Sequence, residues 1–241
     1  MKRLDKFLSE AGAATRKECR ALIGKGRITV NGIPANASDM KIDENSDRIC
    51  MDGKTIRGFY LTVILLNKPA GYVTSTDDPR DPTVMELIPE RFRNLGVSPA
   101  GRLDKETEGL LLLTNDGLLN HRITSPKYGT EKRYYAEHEG TAEESDVKAF
   151  AAGITLRDGM ECLPAVLEPI SAGKSYVTVH EGKYHQVRRM MASRGMTVRY
   201  LRREQEGFLT LDGLHRGEIR ELREEEIAKL RDLLLMNEKN A

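Results

Sequence analysis

Gly101-Arg102-Leu103-Asp104-Lys105-Glu106-Thr107-Glu108-Gly109-Leu110 runs directly into Leu111-Leu112-Leu113-Thr114-Asn115-Asp116-Gly117. Leu110 to Leu113 reads as a buried strand, a short apolar run ended by an Asn-Asp-Gly turn. The charged residues before it occupy a glycine-bounded loop. A loop held at the edge of a buried strand is a rigid mount for a reactive side chain, whereas a charged tip on a linker is not. Asp104 is therefore the candidate reactive group; the bland alternative is an ordinary charged turn before a strand.

The chain has 241 residues and 39% hydrophobic content, enough for one large domain and one small one with real cores. Its three cysteines, Cys19, Cys50 and Cys162, show no paired metal spacing, which argues against a disulfide scaffold or zinc finger and fits a reducing cytoplasm. Met1-Lys2-Arg3-Leu4-Asp5 lacks the apolar core of a signal peptide. No stretch approaches the roughly 18 apolar residues of a membrane span. The expectation is a soluble, unexported, cytoplasmic protein. A net charge of +1 is no nucleic-acid signature by itself, so a basic surface has to come from segregation along the chain.

That segregation is present. Leu4, Phe7, Leu8 and Ala11 share one face of a helix over residues 3 to 11, ended by Gly12. Thr15 and Glu18 form a capping box for a second helix, with Cys19, Leu22 and Ile23 inward and Arg16, Lys17 and Arg20 outside. Ile28 and Val30 alternate with polar residues before Asn31-Gly32, and residues 47 to 51 before Asp52-Gly53 repeat this strand-and-turn pattern. Residues 1 to 58 thus read as a small α+β module, closed by an Arg57-Gly58 linker. Between Lys2 and Arg27, eight Lys or Arg stand against three acids. Two helices, the second one basic, followed by the hairpin Arg27-Ile28-Thr29-Val30-Asn31-Gly32 resemble the S4 RNA-binding domain. The resemblance implies RNA docking, with Arg3, Arg16, Lys17, Arg20, Lys25 and Arg27 meeting phosphates and positioning the substrate without reading its sequence strongly.

A second domain, 59 to 241, opens with the strand Val63 to Leu66 and the turn Asn67-Lys68-Pro69-Ala70-Gly71. Tyr72 to Ser75 can return as a strand, the segment 76 to 82 is a loop, and Thr83 with Glu86 caps a short helix. Residues 118 to 123 read as a helix ended near Ser125-Pro126. If residues 131 to 137 form a strand, Lys132, Tyr134 and Ala136 face one side and Arg133, Tyr135 and Glu137 the other. Thr141 to Ala151 reads as a capped helix with Val147, Phe150 and Ala151 inward, followed by structural apolar segments around Ile154, Val166 and Ile170.

Tyr176 to Val179 leads into Glu181-Gly182-Lys183-Tyr184-His185-Gln186-Val187-Arg188-Arg189-Met190-Met191. On a helix, Val187, Met190 and Met191 make a core edge, while His185, Arg188, Arg189 and Ala192 share another side. His180 and His185 lie about 140° apart around a helix, so a zinc site is discarded. Seven Lys or Arg against one acid mark residues 181 to 203, but ten acids against six bases mark residues 204 to 241. An RNA surface should spare the C-terminal helix, whose Ile227, Leu230 and Leu234 dock inward.

Gly-Arg-Leu-Asp with Thr107, Gly109 and the Leu run resembles the central motif of the RNA pseudouridine synthases. Lys132-Arg133-Tyr134 and His185-Gln186-Val187-Arg188-Arg189-Met190 resemble two further motifs of that family. Leu66-Asn67-Lys68-Pro69-Ala70-Gly71 and the segment Ser75 to Val84 resemble the start of the catalytic domain in its RsuA branch; the Lys-Pro-Gly turn alone carries no functional weight. The resemblance implies an α+β fold with a mixed, mostly antiparallel bent sheet flanked by helices. Asp104 becomes the catalytic carboxylate, Tyr134 the aromatic beside the target base, and Arg188 the partner of Asp104. Arg189 remains an alternative to Arg188, and Tyr135 to Tyr134. Arg102, Lys132, His185, Gln186 and Arg189 are the implied substrate-binding residues.

Isomerising uridine breaks N1–C1′ and forms C5–C1′ with no redox change, so no cofactor and no metal is required. A carboxylate serves either as nucleophile at the sugar or as base on a glycal path, and the sequence does not choose. Either role places Asp104 in a largely closed pocket with an Arg as fixed counter-charge. The target base must leave its stack, for which Tyr134 offers a platform. The expectation is a monomeric enzyme acting on 16S rRNA in the small ribosomal subunit or its precursor. The alternatives are a 23S rRNA enzyme of the same branch, a noncatalytic RNA-binding ribosome assembly factor and, remotely, a glycoside hydrolase pairing Asp104 with Glu106 or Glu108.

Overall fold

The computed structural model describes residues 1–44, 46–56 and 61–239; the expected Arg57-Gly58 linker, and with it the 58/59 boundary, lies outside the described residues. The chain divides into two compact units: Met1–Thr62 with Ile88–Ser98 and Thr114–Asp116, and Val63–Leu87 with Pro99–Leu113 and Gly117–Ala241.

In the first unit, helices Leu4–Glu10 and Arg16–Gly24 bury Leu4, Phe7, Leu8, Cys19 and Ile23 with Ile28, Val30, Ile42 and Ile49 of the strands. Thr15 and Glu18 form the reciprocal capping box. Strands Ile28–Val30 and Ile33–Pro34 are joined through Asn31 (φ 53°) and Gly32 (φ 83°), the positive dihedrals that a two-residue hairpin turn requires. Asp52 (φ 49°) and Gly53 (φ 77°) repeat this geometry between Ile49–Met51 and Lys54–Ile56. The three cysteines are buried and free.

The second unit is built on one sheet. Its strands lie in the order Val166–Ser171, Lys174–Val179, Lys132–His138, Val198–Glu206, Glu108–Thr114, Val63–Lys68, Ile219–Glu221. Glu108–Thr114 pairs parallel with Val198–Glu206, whereas Lys132–His138 is antiparallel to both its neighbours. Leu110 to Leu113 and Val63 to Leu66 are fully buried, as central strands covered on both faces should be. Lys132–His138 buries alternate residues, with Tyr134 and Ala136 on the inner face. Helix Glu224–Lys239 docks through Ile227, Leu230 and Leu234.

Several local expectations change. Tyr72 to Ser75 is not a strand: Val73 makes one bridge to Thr83, and the Thr74 side chain bonds to the backbone of Leu103 instead. The helix expected from Thr141 begins at Glu144 and runs to Ala152, capped by Glu143 and Asp146, with Ala151 exposed and Asp146 buried. Val166 and Ile170 are each 49% exposed because their strand is the outer edge of the sheet. His185 stands outside helix Gln186–Ser193, at its N-cap with φ 49°.

Candidate active site

Leu103 and Asp104 lie between strand Ser98–Ala100 and the buried strand Glu108–Thr114, and what holds their loop rigid is the stretch from Lys68 to Thr74 beneath it. Lys68 is fully buried, and its Nζ donates to the carbonyls of Pro69 (3.1 Å), Asp104 (3.2 Å), Lys105 (3.0 Å) and Thr107 (2.9 Å). Gly71 N–H donates to the Lys105 carbonyl at 2.9 Å. The Thr74 hydroxyl donates to the Leu103 carbonyl at 2.7 Å and accepts from the Leu103 N–H at 3.1 Å. Burial pulls the Lys68 ammonium down to about 8, against the opposing fields of Glu106, Asp104 and Glu108.

Above this cradle Asp104 lines a cleft of about 440 Å³, counted to its open mouth, with Arg102, Tyr134, His185, Arg188 and Leu201. The Asp104 carboxyl is 35% exposed, so the closed pocket expected from the sequence is not present in the free chain. The side chain facing it is also unexpected: His185 Nε2 lies 3.4 Å from Asp104 Oδ1. Arg188 lines the same cleft but donates to the Val198 carbonyl at 3.2 Å, and no ion pair between it and Asp104 lies within 4 Å among the described residues. Arg189 turns elsewhere, to Asp158 Oδ2 at 2.6 Å.

Tyr134 reaches the cleft from a β-bulge. Arg133 pairs with Gln205 and Tyr134 with Arg203, leaving Glu204 as the extra residue that re-aims the strand. The Tyr134 phenol is buried in the field of Arg203, its cross-strand neighbour and a side chain only 2% exposed. Burial raises the phenol's pKa, with Arg203 opposing, so Tyr134 is a neutral donor at ordinary pH. Burial also works against the Arg203 charge, but Glu206 and Tyr134 outweigh it and the guanidinium pKa lies above its usual value. Arg203 Nε donates to the Leu110 carbonyl at 2.7 Å, which ties the cross-strand neighbour of Tyr134 to the strand carrying the Asp104 loop. Tyr135, on the opposite face, packs edge-on against Tyr176 and Tyr200 and donates to Glu137.

The other expected substrate contacts divide. Arg102 lines both the Asp104 cleft and an adjoining hollow with Lys132, Arg203 and Glu206. Lys132 belongs only to that hollow, donating to the Thr130 carbonyl with Glu206 at 3.7 Å; burial lowers its pKa. Gln186 is a buried brace that donates to Glu181 at 2.9 Å and accepts from the Lys183 N–H. In the first unit Arg16, Lys17 and Lys25 are exposed and carry no ion pair within 4 Å among the described residues. Arg3 and Arg20 converge on buried Asp5, and Arg27 pairs with Asp52.

Lys68, Thr74 and Arg203 were missing from the sequence-based site. The signal for Lys68 was readable, because a lysine at the end of a buried apolar strand must find acceptors. Arg203 follows Leu201 by two in a strand, which places both on one face, but its burial depends on the bulge. Among the described residues no group of three or more His, Cys, Asp or Glu is placed to hold a metal, and no helix is long and apolar enough to cross a membrane.

The chain matches the RNA pseudouridylate synthase family over residues 62–193 and the S4 domain over residues 2–47. It is 42% identical to the ribosomal small subunit pseudouridine synthase A of Vibrio cholerae, with 95% of this chain and 99% of the relative covered. The Escherichia coli protein of the same name is 40% identical over the same shares. A Bacillus subtilis protein, named as an uncharacterized RNA pseudouridine synthase, is 37% identical over 95% of this chain and 98% of its own. A pseudouridylate synthase crystal structure superposes with a TM-score of 0.67 at 36% identity, covering 95% of this chain and all of the other.

Proposed function

Because the chain belongs to the RNA pseudouridylate synthase family, in its RsuA-like branch with an N-terminal S4 domain, we propose that it isomerises one uridine of 16S rRNA in the small subunit or its precursor. The observation that carries the chemistry is the convergence of Asp104, Tyr134 and Arg188 on one cleft. Asp104 acts either as nucleophile at C1′ of a flipped nucleotide or, on the glycal path, as the base that takes the C2′ proton and later returns it. The N1–C1′ bond breaks, the uracil turns, C5 bonds to C1′, the C5 proton is released and N1 gains one; nothing is oxidised and no cofactor takes part. Tyr134 offers a ring face to the base and a neutral hydroxyl close to the C5 proton. Arg188 supplies charge to Asp104 once the substrate closes the cleft and removes the water that now reaches the carboxyl.

Residues 1–58 would dock the RNA, with the unpaired Arg16, Lys17 and Lys25 as phosphate contacts; Arg3, Arg20 and Arg27 contribute less because carboxylates already hold them. The small-subunit target is supported by the two relatives named for it. A cytoplasmic monomer is the working form of this reading. Release of tritium from RNA labelled at uracil C5 tests the catalytic assignment: Asp104→Asn should abolish release, and undiminished release overturns it. Primer extension after carbodiimide treatment tests the target, since a mark on 23S and not on 16S rRNA overturns the small-subunit reading.

A further inference from the structure

Tyr184 lies in the chain between Lys183 and His185, two residues that line the Asp104 cleft, and the proposed chemistry does not use it. It is 71% exposed, and among the described residues no other tyrosine or phenylalanine is exposed. Its ring lies parallel on that of His185, with centroids 3.9 Å apart and planes 16° from each other. His185 in turn sets Nε2 3.4 Å from Asp104 Oδ1. The two rings therefore form a short ladder whose inner rung touches the reactive carboxylate and whose outer face meets solvent.

The backbone is shaped for this. His185 is held at φ 49°, a left-handed conformation that costs a residue with a Cβ of order 1 kcal/mol or more and persists only where the surroundings impose it. At this φ His185 stands outside the helix that begins at Gln186, with its Nε2 toward Asp104. Tyr184 packs on no other ring among the described residues, so core packing does not account for its placement. Lys183, Arg188 and Arg102 line the same cleft; Lys183 is paired with Glu181 at 3.0 Å, and the two arginines are the cations left for a phosphodiester chain.

We propose that the outer face of Tyr184 is a stacking platform for the unpaired nucleobase next to the flipped uridine, so that the RNA is gripped by a neighbour of the target as well as by the target. A flipped nucleotide leaves its neighbours without a stacking partner, and an exposed ring stacked on a cleft-lining histidine restores one. The proposal rests on the reading of the cleft as a uridine site, and two readouts keep them apart.

The first readout is fluorescence of loop fragments of 16S rRNA that carry 2-aminopurine beside each unpaired uridine, bound to the full chain. Wild type and Tyr184→Phe should quench the probe at one flanking position. Tyr184→Ala and Tyr184→Leu should not, because leucine keeps the apolar bulk and lacks the π face. Equal quenching by all four proteins, or none by wild type, overturns the platform. The second is tritium release, which by itself decides the uridine-site reading. With release established, Tyr184→Ala should raise KM roughly 5- to 150-fold at near-constant kcat, the factor that base–aromatic stacking corresponds to. On RNA abasic at the flanking position that penalty should vanish. An unchanged KM, or a penalty that survives removal of the base, also overturns the platform.

Discussion

Lys68 holds Asp104 by the backbone and not by the side chain: its ammonium donates to the Asp104 carbonyl at 3.2 Å and to those of Lys105 and Thr107 at 3.0 and 2.9 Å. One buried cation thereby fixes three carbonyls of the loop, so the carboxylate projects from a preset backbone. Lys68→Met should leave these acceptors buried and unmatched, at a cost of about 2–4 kcal/mol. The expected kinetic signature is a kcat loss of about 10²-fold with RNA affinity kept, because the loop moves while the binding surface does not. Thermal melting, RNA binding and single-turnover tritium release measure the three quantities.

The pH dependence of Lys68 separates activity from stability. Its pKa falls to about 8 in the folded chain from an ordinary value of 10.5, so between those limits the unfolded chain binds more protons and this group adds stability as pH rises. Activity should move the other way. A neutral amine has one N–H fewer for the loop carbonyls, so kcat should decline as pH passes about 8 without a matching fall in melting temperature. Parallel pH profiles of kcat and melting check this, and a joint decline of both would refute it.

The fold was legible in the sequence where one local signal dominated. Leu110 to Leu113, the Asn31-Gly32 turn and the Thr15 capping box each contain their own reason, and the structure has them as read. Several of the expected site residues line one cleft, but their contacts were not legible. Periodicity places Arg188 and Arg189 on adjacent helix positions, but only the position of Asp158 shows which guanidinium is occupied. The bulge at Tyr134 depends on pairing with a strand about 70 residues away, as the register with Arg203 makes plain, and a single chain segment carries no trace of it. His185 was read into the helix because helical spacing fits it; its left-handed backbone places it at the N-cap instead.

Gly109 is where the Asp104 loop meets the Arg203 strand, and there is no room for a side chain. A Cβ would lie 2.1 Å from the Arg203 carbonyl oxygen, and the backbone sits at φ 103°. Gly109→Ala should therefore cost roughly 2–6 kcal/mol by adding backbone strain to overpacking, and should displace Arg203 and with it Tyr134. A lowered urea midpoint together with lost activity is the expected result; a variant as stable as wild type would show that the parallel pair tolerates separation.

Tyr134→Phe isolates the phenol from the ring. The ring still offers its face to a base, so RNA affinity should hold, while kcat falls by about 10²-fold or more if the hydroxyl relays the C5 proton. Because burial raises the folded-state pKa of Tyr134, above about pH 10 the unfolded chain sheds a proton that the folded chain keeps, and stability falls with pH there. The Phe variant should lose stability less steeply in that window. Tyr135 and Tyr200 also titrate high, so the slope should be reduced and not abolished.

Arg188 and Arg189 offer the sharpest test of the electrostatics, because they are neighbours with different surroundings. Arg189 spends its guanidinium on Asp158, whose side chain is 56% exposed, and on Met160 Sδ at 3.4 Å. Breaking so solvated a pair should cost no more than about 1 kcal/mol, and Arg189→Ala should leave kcat unchanged. Arg188 lines the cleft and its one described hydrogen bond goes to a carbonyl, so its charge remains available to Asp104. Arg188→Ala should lower kcat by about 10²–10³-fold, the loss usual for one charged or oriented donor, with melting nearly unchanged. Arg188→Lys should recover only part of this, since an ammonium keeps the charge but not the planar fork. Tritium release with the three variants measures it; a larger loss for Arg189→Ala than for Arg188→Ala would move the counter-charge to the other arginine and require Asp158 to release it when RNA binds.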